Sequence, residues 1–178
     1  LLIDLKFDPS EHPIVVQLFG SNENAMEEAA RLCAELGFDG IDINMGCPDR
    51  SIEKSKSGAY CIKDPKLAKR IVEAARRGAP QLPVSVKTRL GYNKVEWDWI
   101  REVLSWSLPV LTVHLRTRKE MSLVPAHWDL MKKVIELRNE ISPETIILGN
   151  GDVVDVDDAR RRCEESGCDG AMIGRGIF

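Results

Sequence analysis

Short β-branched runs alternate strictly with segments whose apolar residues recur at helical spacing, and this alternation most constrains how the chain can fold. Ile14-Val15-Val16-Gln17-Leu18 reads as a strand. In the segment after it, Met26, Ala29, Ala30, Leu32, Cys33 and Leu36 share one helical face, with Ser21 the expected N-cap and Gly37 the expected stop. Gly40-Ile41-Asp42-Ile43-Asn44 is the second strand; a loop of about twenty residues then leads to Asp64-Pro65, a cap and first-turn proline opening a helix to about Arg77. Val84-Ser85-Val86-Lys87 is the third strand. The pattern repeats with a helix near 94–106, a strand at Val110-Leu111-Thr112-Val113, a helix near 126–140 and a strand at Thr145-Ile146-Ile147-Leu148. A helix from about Val156 to Ser166 and a strand at Ala171-Met172-Ile173 complete it.

Strand centres roughly 25 to 45 residues apart imply a parallel sheet covered by helices. A doubly wound sheet and a (β/α)8 barrel both fit. No G-x-G-x-x-G follows the first strand and no G-x-x-x-x-G-K-S/T occurs, which removes the dinucleotide and P-loop readings. The expectation is a partial TIM barrel, because six units in 178 residues fall short of the eight strands and about 250 residues of a whole one. One domain, 1–178, is expected, truncated at both ends. With 43% hydrophobic and 30% charged residues, disorder, collagen and coiled coil are excluded. No stretch approaches the roughly 20 apolar residues of a membrane span, and the start lacks a basic region leading into an apolar one, so a cytoplasmic protein with no membrane partner is expected. The net charge of −3 gives no global nucleic-acid signal, so polyanion binding must rest on particular sites.

Parallel strands present their carboxyl ends to the active site. Every strand here supplies a polar group there: Gln17; Asn44 with Cys47 beyond it; Lys87 and Arg89; His114 and Arg116; Asn150-Gly151-Asp152; and Gly174-Arg175-Gly176. A polar residue at one strand end merely meets solvent; six in succession read as a ring of convergent groups. A barrel-facing Lys87 is costly unless an anion or an electron-rich ring accepts its charge. His114 has the same context, with a hydrogen-bonded core histidine as the alternative. The glycine turns at 149–152 and 174–176 fall where barrels bind phosphate through backbone N–H groups, and Arg175 can add a charge-assisted bond, which points to a phosphorylated cofactor.

Five cysteines without C-x-x-C spacing, and three histidines without an H-x-x-x-H pair, argue against a disulfide framework and against a metal site. Cys47, in Asn44-Met45-Gly46-Cys47-Pro48, opens the longest loop and is the candidate functional thiol. Cys33, Cys163 and Cys168 read as small packed side chains, while Cys61 shares the long loop. Spacing alone leaves open whether Cys47 acts as nucleophile or proton donor.

Gln17-Leu18-Phe19-Gly20, Asp42 through Pro48, Val86-Lys87-Thr88-Arg89-Leu90-Gly91, Thr112-Val113-His114-Leu115-Arg116-Thr117, Gly149 through Asp152 and Met172 through Gly176 together resemble, in order and spacing, the tRNA-dihydrouridine synthases. The N-M-G-C-P, V-K-x-R and V-H-x-R-T boxes are highly specific, while the glycine turns recur in many flavin barrels. The resemblance implies an FMN-dependent (β/α)8 barrel, here strands three to eight, followed by a small helical domain that helps hold tRNA. It implies reduction of the C5–C6 double bond of specific tRNA uridines: NADPH reduces the flavin, the flavin gives a hydride to C6, and a cysteine gives a proton to C5. By the same resemblance Cys47 is that donor. Gln17, Lys87 and His114 contact the isoalloxazine ring, with Lys87 stabilising its reduced, anionic form. Asn150, Gly151, Gly174 and Arg175 hold the FMN phosphate, with Asp152 in the same cofactor site. Asn44, Arg89 and Arg116 face the flipped-out uridine or its phosphates. A monomer without metal is expected.

One departure is visible: where the family usually has a glycine-containing stretch ending G-P-A-x-W, this chain has Val124 before Pro125-Ala126-His127-Trp128. His127 and Trp128 read as helix-start packing residues. Trp97, Trp99 and Trp106 read as a cover for the barrel, with RNA stacking by one of them as the alternative. Two other functions stand beside the main reading: an FMN barrel acting on a small pyrimidine, like dihydroorotate dehydrogenase, and an inactive RNA-binding barrel.

Overall fold

A computed structural model describes residues 5–177. Six strands, β1 (Val15–Leu18), β2 (Gly40–Met45), β3 (Val84–Arg89), β4 (Val110–His114), β5 (Ile146–Asn150) and β6 (Gly170–Met172), run between six helices. These are α1 (Glu23–Glu35), α2 (Arg50–Lys54), α3 (Pro65–Gly78), α4 (Trp97–Leu104), α5 (Met131–Ile141) and α6 (Val156–Ser166). The strands form one sheet in chain order, each parallel to the next. That order decides between the two architectures, since a doubly wound sheet reverses at a switch point and this one never does. The chain folds as six consecutive units of a (β/α)8 barrel. No helix among the described residues is long and apolar enough to cross a membrane.

Strand residues alternate between faces, and the two faces differ in chemistry. Val16, Ile41, Ile43, Met45, Val84, Val86, Leu111, Val113 and Ile147 lie on the helix-covered face and are buried. Leu67, Ala68, Ile71 and Val72 of α3 are buried in the same core. Each leucine or isoleucine there contributes ~1.5–3 kcal/mol over an exposed one. Trp99 and Trp106 join this core edge to face, as cover residues should, and Trp99 donates to the Thr88 hydroxyl at 2.9 Å. The opposite face carries Gln17, Asp42, Asn44, Ser85, Lys87, Thr112, His114 and Asn150.

Local signals explain most boundaries. Asp64 caps α3 by accepting from the Leu67 N–H at 3.0 Å, with Pro65 at its first position. Asp155 caps α6, which ends at left-handed Gly167. The cap of α1 is Asn22 rather than Ser21, whose hydroxyl instead donates to the Ser55 carbonyl at 2.6 Å. The long loop after β2 is not irregular: it contains α2, capped by Asp49, and a 3-10 turn at Gly58–Lys63. Helix α4 starts at Trp97 rather than near 94, because Glu96 closes the preceding loop onto Leu90 and Tyr92. Similarly α5 starts at Met131, after a 3-10 turn at Trp128–Leu130.

Candidate active site

The polar face gathers its groups because parallel register sets them side by side. Gln17 of β1 lies opposite Asp42 of β2, which lies opposite Ser85 of β3. One step toward the carboxyl ends, Asn44, Lys87 and Thr112 are neighbours, and beyond them Arg89, His114 and Asn150.

After β2 the chain turns through Gly46-Cys47-Pro48, and the Asn44 side chain pins this turn by accepting from the N–H groups of Gly46 and Cys47 at 3.0 and 2.9 Å. Cys47 is partly exposed, whereas Cys33, Cys61 and Cys168 are buried. Burial pushes the Cys61 thiol up to about 12 and the Cys163 thiol up to about 11, so neither supplies a thiolate near neutral pH.

Lys87 is largely enclosed, and its amine makes no hydrogen bond among the described residues. Burial, then the charge of Arg89, lowers its pKa to about 8, against the opposing pull of Asp42 and Cys47. His114 is pushed down to about 3, first by burial and then by the charges of Arg89, Lys87 and Arg116. It is therefore neutral. Its Nε2 lies 3.1 Å from Nη1 of Arg116; a guanidinium only donates, so Nε2 accepts and the ring proton sits on Nδ1.

Arg89 and Arg116 are turned into the protein. Arg89 is 5% exposed and donates to the carbonyls of Gly46, Thr117 and Met121, tying the Cys47 turn to the loop after β4. Arg116 is 3% exposed and donates to the Val124 carbonyl and to both oxygens of Asp152. The Val124 backbone thus fixes the loop in which the family's glycine is missing. Asp152, held below the usual carboxylate range chiefly by Arg116, also accepts from the Ala126 N–H at 2.9 Å. Arg89 shapes the site through backbone partners, while Arg116 and Asp152, paired with each other, also border open space beyond β4 and β5.

That space is a cleft of about 460 Å³ lined by His114, Arg116, Asn150, Gly151, Asp152, Gly174 and Arg175. Gly151 adopts φ +119°, where a Cβ would also lie 2.8 Å from that of Ala126. The Asn150 amide donates to the Met172 carbonyl at 2.9 Å, joining the two glycine turns that border the cleft. A larger apolar cleft of about 800 Å³ lies beside β1 and α1, but Gln17 is the only one of the expected site residues on its wall.

The sequence did not single out Asp42, Ser85 or Trp128 as site residues. Asp42 and Ser85 sit inside strand patterns like any alternating polar residue. Trp128 donates to the Gly151 carbonyl at 2.8 Å and so buttresses the cleft from behind.

The sequence family described as Dihydrouridine synthase (Dus) matches residues 3–178. A probable tRNA-dihydrouridine synthase of Staphylococcus aureus (strain Mu50) is 45% identical over 98% of the chain and 53% of its own length. Probable tRNA-dihydrouridine synthase 2 of Bacillus subtilis (strain 168) is 44% identical over 98% of the chain and 54% of its own. The chain thus spans about half the length of these curated relatives. Among solved structures, a mandelate oxidase superposes with TM-score 0.64 at 16% identity, over 92% of this chain and 50% of that one. A morphinone reductase does so with TM-score 0.57 at 14% identity, over 86% and 44%. Those two likenesses speak to the barrel fold; by the match along residues 3–178, the chain belongs to the dihydrouridine synthase family.

Proposed function

We propose that the chain is part of the catalytic barrel of a cytoplasmic, FMN-dependent enzyme that reduces specific tRNA uridines to 5,6-dihydrouridine with NADPH. The observation that carries this is that Lys87 and His114 share one sheet face, with Cys47 on the turn beyond β2 near Lys87, beside a cleft bordered by two glycine turns, in a chain of this family.

The donor set fits FMN. Lys87 offers an amine that no described residue bonds, His114 offers a neutral Nδ1–H, and Gln17, whose amide joins Asp42 and Asn44, offers its second N–H, a set suited to the carbonyls and nitrogens of a flavin ring. Around the cleft, backbone N–H groups near Gly151 and Gly174 with the exposed Arg175 suit a phosphate, while Asn150 and Asp152 hold the turns that present them. When bound and reduced by NADPH, FMN supplies the hydride that adds to C6 of the uracil.

The protein's own residues do the rest. Cys47, on a turn pinned by Asn44 and Arg89, holds a thiol proton that passes to C5, so hydride and proton together saturate one C=C bond. Lys87 supplies positive charge beside the ring without committing its amine to a neighbour. Arg89 and Arg116 serve the uridine indirectly, by fixing the two loops that border the face. The target base must leave its stack to reach the site, and the loops after β2 and β4 border the face it would enter.

The test uses the full-length protein, its visible spectrum recorded before and after NADPH and then with tRNA lacking dihydrouridine. A flavin band that NADPH bleaches and only tRNA restores is expected. Cys47→Ala is expected to keep the band and slow its recovery by about 10²-fold or more. A band that small pyrimidines restore and tRNA does not would move the assignment to a small-substrate enzyme, and absence of flavin would leave an inactive barrel.

A further inference from the structure

Asp42 is a buried carboxylate on the polar face, 7% exposed, to which the reaction above gives no task. Its Oδ1 accepts from the Ser85 hydroxyl at 2.7 Å and its Oδ2 from Nε2 of Gln17, also at 2.7 Å. Gln17 in turn accepts at Oε1 from Nδ2 of Asn44 at 2.9 Å. Asn44 accepts at Oδ1 from the backbone N–H groups of Gly46 and Cys47.

The direction of this chain is fixed from both ends. Backbone N–H groups only donate, so Asn44 must turn its oxygen to the Cys47 turn and its NH2 to Gln17. A carboxylate only accepts, so Gln17 must turn its NH2 to Asp42 and its oxygen to Asn44. Each amide has one orientation that satisfies both neighbours, and the two ends demand the same one. Register supplies the framework, because Gln17, Asp42 and Ser85 are lateral partners on three adjacent strands.

We propose that Asp42, backed by Ser85, is a positioning residue for Cys47: it orients Gln17, Gln17 orients Asn44, and Asn44 holds the turn that aims the thiol. This deepens the reading of Cys47 as proton donor. Asp42 is the buried anchor of this chain, Ser85 and Asn44 are half-buried and Gln17 is exposed, and each of the four side chains has its partners.

The test exchanges the two ends of one link. Gln17→Glu sets two carboxylates against each other and breaks the chain. Adding Asp42→Asn restores it, since the new amide can donate to the new carboxylate while its oxygen still accepts from Ser85 and the net charge equals that of the wild type. The readout is the rate at which iodoacetamide labels Cys47 in the full-length protein, resolved by peptide mass, with the buried Cys33 as the control for opening of the fold. Gln17→Glu is expected to change the Cys47 rate at least threefold and leave Cys33 unlabelled, and the double variant is expected to return Cys47 to within twofold of wild type. Gln17→Met also breaks the chain, and there Asp42→Asn is expected to restore nothing. An unchanged Cys47 rate in Gln17→Glu, a double variant no better than the single, or rescue of Gln17→Met by Asp42→Asn would each overturn the proposal. If Gln17→Glu alone fails to fold, a double variant that folds and labels normally supports the relay, and one that also fails overturns it. Labelling requires neither flavin nor tRNA, so this result and that of the uridine-reduction test stand apart.

Discussion

Lys87 shows how one residue couples the site to stability. Its side chain lies half-buried on the polar face, where burial and the charge of Arg89 both act against the ammonium. The folded protein releases its proton near pH 8 and the unfolded chain near 10.5. Between those values the unfolded state binds more protons, so this group makes the fold more stable as pH rises through the window. Below about pH 8 the same group is charged in both states and costs stability, because burial penalises the ammonium. Lys87→Met removes that cost. The variant is expected to resist urea better than wild type at about pH 7, with the advantage shrinking toward pH 10.5. Urea midpoints of both flavin-free proteins across that range check it, and a gap that does not narrow would mean that the amine stays solvated. An anion bound beside Lys87 would offset the penalty.

Among the elements, β5 and the turn into α5 depend most on a close approach. Trp128 lies against Gly149 so tightly that a Cβ there would fall 2.4 Å from the ring, while the indole N–H holds the Gly151 carbonyl at 2.8 Å. Gly149→Ala must displace the ring and with it this hydrogen bond. A loss of about 1–3 kcal/mol in unfolding free energy is expected; an unchanged urea midpoint would show that the ring moves without cost. These contacts also mark where the sequence stops being legible. Strand positions, the Asp64-Pro65 start of α3 and the whole of α6 follow from local signals, because periodicity and caps act within a few residues. The ring of polar strand ends was legible for the same reason, since parallel topology sends every strand's end to one rim. Hidden from the sequence were α2, which is a single short turn, and the inward course of Arg89 and Arg116. The partners of Arg89 include Gly46, 43 residues away, and Arg116 meets Asp152, 36 residues away. No local pattern encodes such pairings. Asp42 was missed for a related reason: alternating polar residues on a barrel strand look alike until register sets them opposite specific partners.

At the scale of the whole molecule, the six-stranded sheet is buried on its helix side and open on the other. Its described edges are β1 and β6. On the open face the polar layers near the carboxyl ends give way to apolar residues at the other end, where Val15 and Ile146 are 54% and 47% exposed. Phe19, just past the β1 edge, is 56% exposed. Exposed apolar surface beside an unpaired parallel edge is a template for association, because the edge offers a row of free N–H and C=O groups and the side chains supply the driving force. A net charge of −3 provides little repulsion against it. The 178-residue chain on its own is therefore expected to associate reversibly as its concentration rises toward about 100 µM. Light scattering against concentration measures this, and the apparent mass should fall back on dilution. Val15→Thr with Phe19→Ser is expected to reduce the effect while leaving the helix-side core intact, since neither side chain belongs to that buried core. A chain that stays at about 20 kDa throughout would show that the open face closes on itself, and would remove the physical case for further sheet or helix packing against β1.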